Sequence, residues 1–335
     1  MLLCGTVVKL GIVPILGRRG RQRLRRSPLV KLLSAASAGL TVTFAIAAAA
    51  CSASSAGSSD RRLEVVAGFY PLAEAATKVG GSLVDVRNLT PPGVEPHDLE
   101  LTPGAIADIQ SADVVLYLGH GFAPAVQGAI ADAKGSTVDL LQGMPLNPGV
   151  PEPGQQGPVT DPHVWLDPVL YQRVVELTER ALAQAKPADA ATFASNAKAF
   201  LAELEALDRE YRSGLTGCTR KVIVTSHAAF GYLSARYGLT QEPIAGISPD
   251  AEPSPGRLAQ LAQLVKRDGV TTIFTEELVS PKVAETLARE VGVTTEVLSP
   301  LEGLTKQELA AGQDYRSVMR SNLHILERAL GCPGS

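Results

Sequence analysis

Short apolar runs rich in Val, Ile and Leu alternate with stretches of helical periodicity in two separate parts of the chain. In the first part, the predicted strands begin at Leu63–Ala67 and end at Thr137–Leu141. In the second part, the same pattern begins again at Lys221–Thr225. Strands separated by helices of this length are typical of parallel β-α units. The pattern therefore predicts an α/β fold with two lobes, residues 61–186 and 216–335, each built on a parallel sheet.

A single long helix is predicted between the two lobes, over residues 187–215. Apolar side chains recur there every three or four residues and form one stripe: Phe193, Ala197, Phe200, Leu204, Leu207 and Tyr211. Pro187 marks the start of this helix and Gly214 its end. About 26 residues at 1.5 Å each give a rod of about 39 Å. We therefore expect this helix to run along the back of both lobes.

The first fifty residues have the order of a secretory signal, with a basic segment followed by an apolar run from Leu29 to Ala50. The Ala-Ala-Ala-Cys sequence that ends at Cys51 resembles a bacterial lipobox, in which cleavage occurs before a cysteine that carries diacylglycerol. Several acyl chains on Cys51 would anchor the protein stably to a membrane. The alternative is that the apolar run stays in place as a transmembrane anchor. We predict a signal peptide over residues 1–50 and a lipidated cysteine with a flexible, Ser-rich tether over residues 51–60.

Charge is distributed unevenly along the 335 residues. Residues 1–50 hold eight Lys or Arg and no acidic residue, so the rest of the chain has 23 basic and 34 acidic side chains. A net-acidic body without basic and aromatic stripes argues against nucleic-acid binding, because a phosphate backbone attracts positive surfaces. A cationic substrate suits this charge better.

Two cysteines remain once Cys4 is removed with the signal and Cys51 is acylated. Export places the protein where cysteines tend to pair. We therefore expect a disulfide between Cys218 and Cys332, with two free thiols as the alternative.

Three of the five histidines follow predicted strands or precede helix starts. His97 lies before the helix start at Thr102, His163 precedes a predicted helix cap at Asp167, and His227 directly follows a strand. Loops at the carboxyl ends of parallel strands meet in one crevice, so these three histidines are able to converge. Converging neutral imidazoles are the ligands that zinc prefers. A single histidine at such a position is more often a hydrogen-bonded loop residue.

Four motifs, in this order and spacing, resemble a known family. They are E-P-H-D-L-E-L-T-P at 95–103, D-P-H-V-W-L-D-P at 161–168, V-T-S-H-A-A-F-G-Y at 224–232 and T-E-E-L-V-S-P-K at 275–282. The chain resembles the zinc- and manganese-binding receptor lipoproteins of bacterial ABC transporters over almost all of its length after Cys51. The resemblance implies that His97, His163 and His227 are metal ligands in a cleft between two α/β lobes joined by a long helix.

The fourth ligand departs from the family pattern. In the family it is usually an aspartate in a segment that aligns with Val297–Glu302, and the alignment places Ser299 at its position. The anionic ligand is therefore missing or supplied by another residue. Glu276, at a predicted strand end, is a candidate ligand or a residue that orients one. A solvated or helix-capping acid is the alternative for Glu276.

Ligand type indicates the metal. Three imidazoles without an assigned carboxylate favour Zn²⁺ over Mn²⁺, which prefers oxygen ligands. Zinc receptors of the family often carry a His- and Asp-rich loop beside the cleft. The matching segment, 143–162, is rich in Pro and Gly and has no histidine, so we expect an irregular surface loop that holds no additional metal.

The resemblance implies an extracytoplasmic receptor, not an enzyme, that binds zinc as a monomer and delivers it to an ABC-transporter permease. Two alternatives stay open. The first alternative is a secreted zinc hydrolase with Glu276 as its base, because catalytic zinc sites also have three histidine ligands and a water, here at the Ser299 position. A surface adhesin or metal buffer of the same fold is the other.

Overall fold

The computed structural model describes residues 61–151 and 157–334. The predicted signal peptide, Cys51 and the tether lie outside the described residues. Within the described part of the chain, no helix combines the length and the apolar character needed to span a membrane.

The first lobe has a sheet of four parallel strands in the order β2-β1-β3-β4. These strands are β1 (Leu63–Ala67), β2 (Val84–Asn88), β3 (Val114–Tyr117) and β4 (Ser136–Asp139). The helices between them are α1 (Tyr70–Gly80), α2 (Pro103–Ser111) and α3 (Pro124–Ala129). The predicted start of α2 is explained by its cap, since the Thr102 side chain accepts a hydrogen bond from Ala105 N–H.

Two helices follow the first sheet, α4 (Pro168–Ala185) and α5 (Ala190–Gly214). Asp167 caps α4 as predicted, because its carboxylate accepts a hydrogen bond from Val169 N–H. The predicted start at Pro187 differs from the structure, since residues Pro187–Asp189 form a 3₁₀ turn before α5 begins. The apolar stripe of α5 is buried over its full length. This stripe fixes which face of α5 packs against the rest of the protein.

The second lobe repeats the strand order of the first, as β6-β5-β7-β8, again with all strands parallel. Its strands are β5 (Val222–Thr225), β6 (Thr240–Pro243), β7 (Thr272–Thr275) and β8 (Thr294–Val297). Its helices are α6 (Gly231–Tyr237), α7 (Pro255–Arg267), α8 (Lys282–Val291), α9 (Lys306–Ala310) and α10 (Tyr315–Leu330). The predicted α/β fold with two parallel-sheet lobes is confirmed. The two lobes also share one strand order, although their amino-acid sequences show no repeat.

Helix α5 connects the lobes by packing, since it contacts α1 and α4 and also α10 of the second lobe. The Tyr211 hydroxyl, fully buried, donates to the Met319 carbonyl of α10 at 2.6 Å. One apolar core therefore continues from the first sheet through α4 and α5 to α10. A smaller apolar cluster, which includes Val224, Leu261 and Ile273, lies within the second lobe.

The segment predicted as an irregular loop is largely so in its described residues, 143–151 and 157–162. It does contain one antiparallel bridge, between Pro148 and Thr160. Tyr232 of α6 secures the segment, because its hydroxyl donates to the Asp161 carbonyl at 2.8 Å and accepts from Asn147 N–H at 2.9 Å.

The predicted disulfide between Cys218 and Cys332 is confirmed. Cys218 follows α5 and Cys332 follows α10, so the bridge joins the ends of two helices that already pack together. The Cys332 N–H also donates to the Glu327 carbonyl at 3.0 Å, which closes the end of α10.

Replacing both cysteines, as Cys218→Ser/Cys332→Ser, is expected to lower the thermal unfolding temperature. Opening a cross-link with a sequence separation of 114 residues removes up to about 5 kcal/mol in the chain-entropy model, and usually less. Calorimetry of the variant against the parent protein measures the effect. Two reactive thiols in the unreduced parent protein would contradict the pairing.

Candidate metal centre

Four buried side chains from four separate segments converge at one point: His97, His163, His227 and Glu302. The Glu302 Oε1 atom lies 3.3 Å from His97 Nε2, 3.2 Å from His163 Nε2 and 3.1 Å from His227 Nε2. His163 Nε2 and His227 Nε2 are 3.4 Å apart. The structure thus brings together the three sequence-predicted histidines and adds a carboxylate.

These separations fit a small tetrahedral cation. Zinc binds nitrogen and oxygen ligands at about 2.0–2.2 Å, so ligands at the corners of a tetrahedron lie about 3.3–3.6 Å apart. Four of the six separations are within a few tenths of an ångström of that spacing, and all four ligand atoms lie within 4.8 Å of one another. The cluster is therefore arranged to hold one such ion without large rearrangement.

His97 lies in the loop between β2 and α2, and it is the most exposed of the four groups although only 8% accessible. The Glu95 carboxylate accepts a hydrogen bond from His97 N–H at 3.0 Å, which fixes the backbone at this position. The Phe122 ring lies edge-on to the imidazole, with the ring centroids 4.6 Å apart.

His163 lies well beyond β4, at the start of a 3₁₀ turn formed by Val164–Leu166, and so does not directly follow a strand. The Asp161 carboxylate accepts from its backbone N–H at 3.0 Å and lies 2.8 Å from its Nδ1. An Nδ1–H that donates to a carboxylate leaves the Nε2 lone pair directed into the cluster.

His227 comes two residues after β5 and has an equivalent partner from the second lobe. Its Nδ1 lies 2.7 Å from Oε1 of Glu276, which directly follows β7. The carbonyl of His227 accepts hydrogen bonds from the Thr225 hydroxyl and the Gln241 amide, at 2.7 and 2.9 Å. Glu276 therefore orients His227 from the side of the ring that faces away from the cluster. The sequence had suggested it either as a ligand or as a residue that orients one.

The fourth group of the cluster, Glu302, was missed by the sequence reasoning, which placed Ser299 at this position. The Ser299 hydroxyl is instead hydrogen-bonded to Glu277 and accepts from Leu301 N–H at 3.3 Å. The chain then turns at Leu301, whose φ of 54° is unusual for a residue with a side chain. This left-handed residue directs Glu302 into the cluster. An acidic residue within the aligned segment was the available signal, but its direction depends on a backbone angle that the sequence does not show.

Buried charge needs compensation within the cluster. Burial favours the neutral acid, yet the three imidazoles outweigh it and lower the pKa of Glu302 well below its usual value. Burial opposes a charge on His227, but the Glu276 and Glu302 carboxylates raise its pKa well above the usual value. The carboxylates of Asp161 and Glu302 also raise the pKa of His163, whereas burial lowers that of His97, so protons on His163 and His227 balance the carboxylates when no metal is bound. A divalent cation supplies the same positive charge.

Acidic side chains also lie near His97. A cavity of about 260 Å³ lies beside His97, with Asp98 and His120 in its lining. The carboxylates of Glu95, Asp98 and Asp250 come within 4.8 Å of one another. Burial, together with the neighbouring Glu302 carboxylate, raises the pKa of Glu95 to about 8. A carboxyl group with this pKa keeps its proton near neutral pH, and an approaching cation favours its ionised form.

Comparison with known proteins adds to this geometry. Residues 65–329 match the model of a family described as the periplasmic zinc-uptake complex component A. The chain is 38% identical over 305 residues to the high-affinity zinc uptake system protein ZnuA of Bacillus subtilis, covering 87% of this chain and 96% of that protein. It is 40% identical over 280 residues to the zinc-binding lipoprotein AdcA of Streptococcus pneumoniae, where it spans 80% of this chain but only 56% of the relative's length.

The fold is also similar to a solved structure. The Zn(II)-bound ZnuA-like domain of Streptococcus pneumoniae AdcA matches with a TM-score of 0.69 and 39% identity, over 80% of this chain and 99% of that domain. The family match extends across both lobes, and the matching solved structure contains zinc. The chain belongs to the family of the periplasmic zinc-uptake complex component A.

Proposed function

We propose that this protein is an extracytoplasmic receptor that binds Zn²⁺ and delivers it to the permease of an ABC importer. The observation that carries the proposal is the buried cluster of His97, His163, His227 and Glu302, whose ligand atoms have the spacing of a tetrahedral zinc site. Membership of the zinc-uptake family supports transport as the purpose of binding.

Zinc suits the cluster better than manganese. Three imidazole nitrogens and one carboxylate oxygen at tetrahedral spacing match zinc, whereas Mn²⁺ favours more oxygen ligands in a six-coordinate arrangement. Asp161 and Glu276 hold two of the imidazoles in the required orientation. Mn²⁺ is the second choice for the cargo.

The hydrolase alternative finds no support in the arrangement of Glu276. A base for a zinc-bound water has to face the metal side of the ligands, and the Glu276 carboxylate is hydrogen-bonded to Nδ1 and the backbone N–H of His227. Glu302 also fills the fourth corner that a catalytic zinc keeps open for water.

We propose a lipid anchor at Cys51, which rests on the lipobox-like sequence before it. Anchoring would hold the receptor beside a permease in the same membrane. Because one chain contributes all four groups of the cluster, we expect the receptor to act as a monomer.

Replacing any one of the proposed ligands, as His97→Ala, His163→Ala, His227→Ala or Glu302→Ala, is expected to weaken zinc binding. The loss of zinc affinity should exceed roughly 100-fold, which is the upper range for residues outside the coordination sphere. The three remaining ligands would compensate poorly for the water that the ion loses when it binds. Competition with a chromophoric chelator measures the affinity. His324→Ala is the control, since His324 is exposed and bonded to Glu327. Unchanged affinity in any ligand variant would remove that residue from the site.

Glu276→Gln is expected to weaken zinc binding less than loss of a ligand, by about 10- to 100-fold. The amide keeps the shape of the side chain but cannot match a carboxylate as the acceptor for His227 Nδ1–H. The same chelator competition tests this effect, with Glu290→Gln on α8 as the control, since Glu290 is exposed to solvent. A loss as large as that of His227→Ala would place Glu276 among the ligands.

Transport itself is tested in cells. Deleting the protein should impair growth in zinc-depleted medium, and excess zinc should restore growth. The unaltered protein should rescue the deletion at low zinc, whereas the His227→Ala variant should not. Normal uptake of labelled zinc by the deletion strain would reject the transport function.

A further inference from the structure

The turn that carries Glu302 is held from two directions. At its start, Asn322 of α10 accepts from Ser299 N–H at 3.0 Å and donates to the Ser299 carbonyl at 2.7 Å. One residue later, the Pro300 carbonyl accepts a hydrogen bond at 2.8 Å from the indole Nε1–H of Trp165. The first contact comes from the same lobe, and the second comes from the segment that carries His163.

Trp165 is the only tryptophan of the chain and is 1% exposed. Its ring packs against Phe69 and His163, with ring centroids 4.8 and 5.0 Å away. Its backbone carbonyl accepts a hydrogen bond from the Tyr315 hydroxyl at 2.6 Å. Packing and this bond hold the indole in place. Its N–H therefore donates to the Pro300 carbonyl from a fixed position.

The bond from Trp165 acts on the peptide group that sets the direction of Glu302. The Pro300 carbonyl and the Leu301 N–H belong to one planar peptide unit. Trp165 holds the carbonyl end of this unit, and the Ser299 hydroxyl accepts from the N–H end. Fixing the plane at both ends restricts rotation about the N–Cα bond of Leu301, whose φ of 54° is strained. A strained residue relaxes when its restraints are removed, and relaxation here would turn Glu302 away from the three imidazoles.

We propose that Trp165 is a positioning residue for the metal site, which holds Glu302 in its coordinating direction through the Pro300 carbonyl. This inference rests on the proposed zinc function and adds a residue that touches no metal. In this arrangement, one indole N–H ties the orientation of the carboxylate in the second lobe to the histidine segment of the first.

Trp165→Phe tests the inference, because phenylalanine retains an aromatic ring but lacks the N–H donor. Leaving the buried Pro300 carbonyl without its partner is expected to raise the zinc dissociation rate about tenfold. Stopped-flow mixing of the zinc-loaded purified protein with excess chelator measures this rate. Ser299→Ala removes the other restraint on the same peptide and should act in the same direction, which keeps the test available if Trp165→Phe fails to fold.

A double-mutant cycle separates positioning from general loosening. In a Glu302→Gln background, Trp165→Phe should change the zinc dissociation rate less than twofold, because the carboxylate through which it acts is gone. Tyr211→Phe is the matched control, since it also removes one buried donor to a main-chain carbonyl, that of Met319. This control should lower the unfolding temperature without changing zinc dissociation.

Each outcome has a defined meaning. The same acceleration by Trp165→Phe with and without Glu302, or no acceleration at all, would overturn the positioning role. Either result leaves the zinc function standing if the parent protein binds zinc tightly. Failure of the parent protein to bind zinc would instead reject the proposed function.

Discussion

The structure depends on the burial of one carboxylate among three imidazoles. Oε1 of Glu302 lies within 3.3 Å of three imidazole nitrogens, and all four side chains are almost completely shielded from water. Such a group is tolerated only when positive charge lies between its members, as protons or as a metal ion. The segments that bring these side chains together come from both lobes. The charge balance of the cluster therefore depends on how the two lobes are arranged.

The two lobes contribute to the cluster in similar ways. Each has four parallel strands in the same order, and each provides one histidine oriented by a carboxylate, Asp161 for His163 and Glu276 for His227. A carboxylate on Nδ1 fixes the ring and makes Nε2 a better ligand. The orientation of these two imidazoles therefore does not depend on the metal.

Rigidity is concentrated on the side of the molecule formed by α4, α5 and α10. The stripe of α5 is buried, Tyr211 bonds it to α10, and the Cys218–Cys332 bridge closes the same helix pair. At the cluster, directional bonds add to the apolar packing between the lobes, such as those from Trp165 to Pro300 and from Tyr232 to Asp161. The helix packing therefore sets how the lobes are arranged, and these bonds join the segments that carry the site residues.

The sequence determined the α/β class, the buried face of α5 and the cysteine pairing, because periodicity and residue type are local properties. It also indicated His97, His163 and His227, since their motifs place them at the ends of predicted elements. The fourth group was decided only by the tertiary structure. Both Ser299 and Glu302 lie in the aligned segment, and a left-handed Leu301 directs the second of them into the cluster. That backbone angle is maintained by Trp165, which is distant in sequence and near only after folding, so no local pattern reveals it.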